Sequence, residues 1–261
     1  MDRIADILDQ IECLSIDTCT AVELAAFMSG ADAVIHTAGS YCRRGESIAE
    51  AVRANVVFGL GILEAAIEQK VSLFINTSTA LPKATNVYAQ SKVQFAEWGR
   101  SLAESGGITF FNVLLEHIYG PGDDAVKFVE HVISACLANQ EKLELTAGTQ
   151  QRDFVHITDV VAAYLLLLEK KDFLGSGNYH DIAMGSGETV TIKSLVETIH
   201  AISGSSTLLA FGARPLASHE VMYSCATPNE LRAMGWRTDI SLEDGLQQII
   251  HQKKSELPGL L

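Results

Sequence analysis

Tyr88-Ala89-Gln90-Ser91-Lys92 is the segment of this sequence best suited to moving a proton. A tyrosine and a lysine four positions apart on a helix share one face, about one turn from each other. An ammonium beside a phenol favours the phenolate, which predicts a Tyr88 pKa below its ordinary value of about 10. Such a phenol is usable as acid or base near neutral pH. Just upstream, Asn76-Thr77-Ser78-Thr79 places hydroxyls at the carboxyl end of an apolar run, the edge where open α/β sheets bind ligands. A hydroxyl there can hydrogen-bond a carbonyl oxygen while Tyr88 protonates it. Tyr-x-x-x-Lys alone equally describes two surface neighbours. The hydroxyl-rich strand end before it, within a strand–helix rhythm, is what makes the pair a site.

The elements that must position these groups alternate along the chain. Residues 11–17 read as a short strand, 21–28 as a helix, and the apolar run 33–37 as a strand buried on both faces. A long helical pattern spans 48–69, a strand 73–77, a helix 88–104 stopped by Gly106-Gly107, and a strand 108–115. This order predicts an α/β protein with a doubly wound, Rossmann-like parallel sheet. Beyond Gly120-Pro121-Gly122 the rhythm loosens: helices over 125–138 and 159–169, extended 143–146, a strand near 178–183, and helices at 192–202 and 242–251. The expected division is a sheet domain of residues 1–124 and 155–184, with a smaller lobe of 125–154 and 185–261.

Composition narrows the function. Nineteen basic against 32 acidic residues in 261 leave a formal net charge of −13. Such a surface repels phosphate backbones, so nucleic acid is not an expected partner. The apolar run 160–168 is about half of the ~20 residues a membrane helix needs, and residues 1–6 show no signal pattern. Five cysteines, with no Cys-x-x-Cys pair and no His-Glu-x-x-His, predict neither a disulfide framework nor a metal site, and a cytoplasmic location. His36, inside an apolar strand, reads as a packed residue.

Taken in order, several segments resemble the extended short-chain dehydrogenase/reductases, the nucleotide-sugar epimerase, dehydratase and reductase group. They are residues 30–39, Asn55, the Tyr88/Lys92 helix, Ile118-Tyr119-Gly120-Pro121-Gly122-Asp123, residues 151–160 (Gln151-Arg152-Asp153-Phe154-Val155-His156-Ile157-Thr158-Asp159-Val160), Arg214, and residues 227–236. Residues 74–83, 88–95 and 146–154 are also similar to a bacterial branch of 4-keto reductases, the abequose and paratose synthases. The resemblance implies that Tyr88 is the proton donor, Lys92 its pKa modulator and ribose ligand, and Thr79 the catalytic hydroxyl with Ser78 as its neighbour. It implies an NAD or NADP cofactor, NADPH for a reductase, contacted by Asp17, Thr18, Thr37, Ala38, Gly39, Asn55, His117 and Ile118. It also implies a nucleotide-linked sugar held by His117, Arg152 and Arg214, and a homodimer through the helices at 48–69 and 88–104.

One family feature is missing from the sequence: a first strand feeding a glycine-rich turn at a helix amino terminus. Gly59-Leu60-Gly61 lies within a helical pattern, and Gly185-Ser186-Gly187 lies in the smaller lobe. Register against the family places Met1 after its second strand, a shortfall of about one βαβ unit, ~30 residues or more. This predicts an amino-terminally truncated fold in which the strand at 11–17 lacks a neighbour and the strand at 33–37 has an open edge. The leading expectation is a reductase of a nucleotide-linked 4-keto-6-deoxysugar, or the inactive remnant of one that lacks the pyrophosphate-binding turn. The alternatives are a sugar epimerase and a non-catalytic protein derived from the fold. Dehydration is disfavoured, because Ala80-Leu81 follows Thr79 where a dehydratase carries Asp-Glu.

Overall fold

The strands are, in chain order, β1 (Ala33–His36), β2 (Leu73–Thr77), β3 (Thr109–Leu115), β4 (His117–Tyr119), β5 (Lys142–Glu144), β6 (Gln151–Arg152), β7 (Phe154–His156), β8 (Tyr179–Met184), β9 (Val190–Thr191), β10 (Leu208–Ala210) and β11 (Tyr223–Ser224). The α-helices are α1 (Ala21–Met28), α2 (Ile48–Val52), α3 (Phe58–Glu68), α4 (Val87–Glu104), α5 (Phe128–Leu137), α6 (Ile157–Glu169), α7 (Ile192–Ser203), α8 (Asn229–Ala233) and α9 (Leu242–Glu256). A π-helical segment, Arg53–Val57, joins α2 to α3. The structure is a computed structural model that describes residues 2–15, 18–43, 45–174, 178–218 and 220–256.

The central sheet has the order β1-β2-β3-β8, every pair parallel, with Ile35 opposite Ile75, Ile75 opposite Phe111, and Phe111 opposite His180. Its middle strands are buried on both faces because helices cover both, which is why they read as continuous apolar runs. On one face Phe74 and Phe110 stack at 5.3 Å and meet Leu63, Ala66 and Phe95 from α3 and α4. Here α4 crosses Phe110 at Gly99, where any Cβ would collide with the ring. On the other face Leu73, Ile75, Phe111 and Val113 pack against Val160, Ala163 and Leu167 of α6, and against Trp236. A further core joins α5, α7 and α9 through Val132, Ile133, Leu195, Ile199, Leu246 and Ile249, with Tyr119 and Phe154 at its boundary with the sheet.

Local chemistry sets where the helices start. Thr20 with Glu23, and Ser47 with Glu50, make capping boxes at α1 and α2. His156 Nδ1 accepts the Thr158 N–H at 3.3 Å, so α6 begins at Ile157, two residues earlier than apolar periodicity suggests. Residues 11–15 do not form the expected strand: they run as irregular chain, with Ile11 41% exposed. Among the described residues nothing pairs with the outer edge of β1, so no ladder exists for them to join. Residues 16 and 17 lie outside the described residues.

Candidate active site

The hydroxyl segment is held extended beyond β2. Ser78 N–H donates to Val113 O at 2.8 Å and Ala80 N–H to Leu115 O at 3.1 Å, which keeps residues 78–80 on the edge of β3. Thr77 pairs its hydroxyl with that of Tyr164 at 2.6 Å. Ser78 and Thr79 are buried and line a cavity of about 230 Å³. Thr79 Oγ1 accepts the Leu81 N–H at 3.2 Å. Ser78 Oγ is buried and makes no hydrogen bond within the described residues. A buried hydroxyl without a partner costs free energy, so the cavity holds a donor ready for a ligand oxygen.

Helix α4 brings the phenol to the same cavity. The Asn86 side chain accepts the Ala89 N–H at 2.8 Å and caps the helix, which sets Tyr88 in its first turn and on the cavity wall. Lys92 lies one turn deeper, 3% exposed, beneath the turn that follows β1. A Cβ added at Gly39 would sit 3.6 Å from Lys92 Nζ and 3.1 Å from Asn55 Oδ1, so this turn passes close over both groups. Asn55, fully buried, accepts the Ser40 N–H at 2.6 Å and donates to Ser40 O and Ser91 Oγ, both at 2.9 Å. It sits in the π-helical segment, a wider turn often found at functional sites. The segment lets one side chain reach the loop and α4 together.

The electrostatics depart from the expected pairing. Burial, the largest cause, pushes the Tyr88 phenol well above its ordinary range; nearby Tyr41 raises it further and Arg43 opposes. Burial also pulls the Lys92 ammonium down to about 8. Lys92 therefore does not acidify Tyr88 here: its ammonium lies under the Gly39 turn, and loss of solvent is the largest cause of the shift for both groups. Tyr88 thus carries its proton at neutral pH. His36, ringed by Phe58, Phe74 and Phe95, is held by burial at about 4 and is a neutral packed residue, as expected.

A stability test follows from Lys92. Its folded pKa of about 8 lies below the ordinary 10.5, so between these values the unfolded chain binds more protons and stability rises with pH. Below pH 8 the charged, buried form is a standing cost. Lys92→Met is expected to raise stability at pH 7 by roughly 1–3 kcal/mol in urea unfolding, and the gain should shrink as pH approaches 10.

The other anticipated residues divide. His117 and Ile118 line the cavity with Ser78, Thr79 and Tyr88. Thr37, Ala38 and Gly39 form the exposed turn after β1, next to Asn55 and Lys92. Thr18 lies at the surface, bonded to Ser15 O, and Asp17 lies outside the described residues. Arg152 is buried and not part of the cavity lining; its guanidinium donates to Glu220 at 2.7 Å and to Gln151 O at 2.9 Å. Arg214 is exposed, also outside that lining.

Sequence reasoning passed over Ser40, Tyr41, Arg43, Glu116 and Lys127, and gave Asp123 no role of its own beyond its place in the 118–123 segment. The Tyr41 ring lies 5.0 Å from that of Tyr88. Glu116 is buried in the cavity wall, accepts Ser224 Oγ at 2.7 and 2.8 Å, and approaches His117 Nδ1 at 3.4 Å. Asp123 and Lys127 form an i,i+4 ion pair at 2.8 Å, the one member of this group with a sequence signal.

Comparisons with known proteins bear on the family and the fold. The chain is similar to the CDP-abequose synthase of Salmonella typhimurium, 32% identical over 225 residues that make up 83% of this chain and 75% of that protein. Its fold matches MoeE5 in complex with UDP-glucose and NAD at a TM-score of 0.81 and 21% identity, over 94% of this chain and 85% of that one. It matches RMD from Pseudomonas aeruginosa complexed with NADPH at a TM-score of 0.78 and 21% identity, over 98% and 95%. No described helix is long and apolar enough to cross a membrane. With residues 2–183 matching its sequence pattern, the chain belongs to the NAD dependent epimerase/dehydratase family.

Proposed function

We propose that this chain is a nucleotide-sugar oxidoreductase that reduces the 4-keto group of a nucleotide-linked 4-keto-6-deoxyhexose, a cytoplasmic step in making sugars for surface polysaccharide. The observation that carries the reading is a single cavity in which Tyr88, still protonated at neutral pH, faces Ser78 and Thr79 at a sheet edge. The similarity to a CDP-abequose synthase supports the reductase over the epimerase.

An NAD(P) cofactor fits the residues behind the cavity. The exposed Thr37–Gly39 turn, the Lys92 ammonium below it and the Asn55 bonds that brace it form a cradle that a side chain at position 39 would crowd. Bound NAD(P)H supplies the hydride. The chain's own groups do the rest: Thr79 and Ser78 hold the carbonyl oxygen, Tyr88 gives its phenolic proton to the alkoxide, and Lys92 and Asn55 keep the α4 face and the turn in register. Arg152, on exchanging Glu220 for phosphate, and Arg214 take the nucleoside end of the diphosphate.

The test is NADPH absorbance in the presence of a CDP-linked 4-keto-deoxyhexose, with a version of the chain that carries a glycine-rich βαβ unit ahead of residue 1: substrate-dependent oxidation is expected, and its absence argues against the reading. Thr79→Val is expected to lower kcat by about 10²-fold, the scale of one lost oxyanion donor. Ser78→Ala, measured alongside, reports how much of the carbonyl's hold Ser78 supplies. A homodimer is proposed through the face of α4 and the π segment, which pack together and leave Trp98 55% and Val57 57% exposed. Trp98→Arg is expected to halve the mass seen by light scattering.

A further inference from the structure

Glu116 and His117 are neighbours in the chain, yet both line the cavity in front of Tyr88. On a regular strand they would point to opposite faces. The chain changes partner between them: Glu116 N–H donates to Met184 O at 2.9 Å, and His117 N–H to Asp153 O at 3.2 Å. So β3 ends and β4 begins here, and the break brings a carboxylate and an imidazole together. His117 Nδ1 lies 3.4 Å from Glu116 Oε2.

The Glu116 side chain is only 3% exposed. Among the described residues its hydrogen bonds come from one hydroxyl, that of Ser224 on β11. A carboxylate taken out of water needs more compensation than that. His117 Nδ1 is buried beside it and makes no hydrogen bond among the described residues. A lone pair on Nδ1 would face the carboxylate and be repelled, whereas a proton there is attracted. The neutral ring therefore carries its proton on Nδ1 and its lone pair on Nε2. With Nδ1 buried and 36% of the side chain exposed, the opposite edge of the ring, which holds Nε2, meets the cavity.

The surroundings decide what Nε2 can receive. Arg43 and Lys127 in the lining are balanced by Glu116 and Asp123. Lys127 is bound to Asp123 at 2.8 Å, and both cations lean on the Tyr41 ring, at 5.3 and 5.7 Å from its centroid. An imidazole lone pair backed by a carboxylate repels phosphate oxygens and accepts a hydroxyl hydrogen. Leu115, Ile118, Val129 and Phe154 line the same cavity with apolar side chains, and the Phe154 ring packs 5.6 Å from that of His117. An acceptor among apolar walls discriminates strongly between a ligand that brings a hydroxyl to it and one that does not.

We infer that Glu116, fixed by Ser224, is a positioning residue that sets the tautomer of His117, and that His117 Nε2 accepts a hydroxyl hydrogen of the hexose. The inference rests on the reading of the chain as a nucleotide-sugar enzyme and deepens it: the pair recognises the sugar and not its phosphates.

Two measurements on the full chain test this. Long-range proton–nitrogen NMR above neutral pH reads the tautomer, with the His117 signals assigned by their loss in His117→Phe. The Nδ1–H form is expected in the wild type and in Glu116→Gln, whose amide oxygen still accepts. Glu116→Met should revert to the Nε2–H form that free histidine prefers. Titration calorimetry then compares CDP-glucose with CDP. His117→Phe and Glu116→Met are expected to weaken CDP-glucose by about five- to tenfold, the scale of one hydrogen bond, while Glu116→Gln binds it as the wild type does. CDP affinity stays at the wild-type value throughout and shows that the variants are folded. An Nε2–H tautomer in the wild type overturns the inference, as does a wild type that binds neither probe. So does undiminished CDP-glucose affinity in His117→Phe, or an equal loss for CDP, since the ring would then serve a phosphate. The expected results in a protein that, extended by the βαβ unit, never oxidises NADPH with a 4-keto sugar leave the hydroxyl site standing and remove the reductase reading.

Discussion

Tyr88→Phe is expected to lower kcat for the 4-keto sugar by about 10³-fold, within the 10²–10⁴ range for loss of a positioned acid. The substitution removes one oxygen and keeps the ring that packs on Tyr41 at 5.0 Å, so CDP affinity and thermal stability should hold. Equal losses in kcat and kcat/KM would identify an interaction made only in the transition state. The direction of the Tyr88 shift has its own consequence. Burial keeps the phenol protonated across neutral pH, the form that a reduction consumes. The reverse oxidation needs the phenolate, so its rate should climb with pH where the reduction does not. Full activity in the phenylalanine variant would refute the assignment of Tyr88 as donor.

Asp153→Ala should be the most damaging single change to stability. The carboxylate is fully buried between the β6–β7 corner and two loops. It accepts the Ser186 N–H at 2.8 Å and hydroxyl at 2.6 Å, the Gly187 N–H at 3.0 Å and the Ala226 N–H at 3.1 Å. The loop wraps so tightly that a Cβ at Gly185 would strike Asp153, and Gly187 has a φ of +81°. Alanine leaves those donors buried and unpaired, at about 1–3 kcal/mol each before relaxation. The expected loss is about 3–5 kcal/mol in urea unfolding, or roughly 10 °C in Tm. Asp153→Asn should lose less, because one amide oxygen still accepts. A change below about 1 kcal/mol in the alanine variant would show that the loops do not depend on this carboxylate.

Gly185-Ser186-Gly187 shows the limit of reading such patterns from sequence. Two glycines flanking a serine have the look of a phosphate turn, and only their place far along the chain argued otherwise. In the structure they enclose an internal anion, Asp153. Arg152 is a similar case. Its type and motif suggest a free phosphate grip, yet its partner Glu220 is 68 positions away, beyond any local spacing rule.

The parallel sheet, most of its helices, and the meeting of Tyr88 with the hydroxyls of residues 78 and 79 were legible in the sequence because they depend on short periods. Alternating apolar runs specify strands buried on both faces, and a spacing of four puts two side chains on one helical face. The strand expected at 11–17 did not form over residues 11–15, because a strand without a partner cannot satisfy its backbone. Other features were settled by tertiary structure alone. Arg43 and Lys127 meet on Tyr41, Glu116 enters the cavity wall, and Asn55 is turned by a π segment toward Ser40. Whether Lys92 acidifies Tyr88 also depends on depth in the protein: spacing measures the attraction between two charges, and only the packing around them determines how much solvation each has lost.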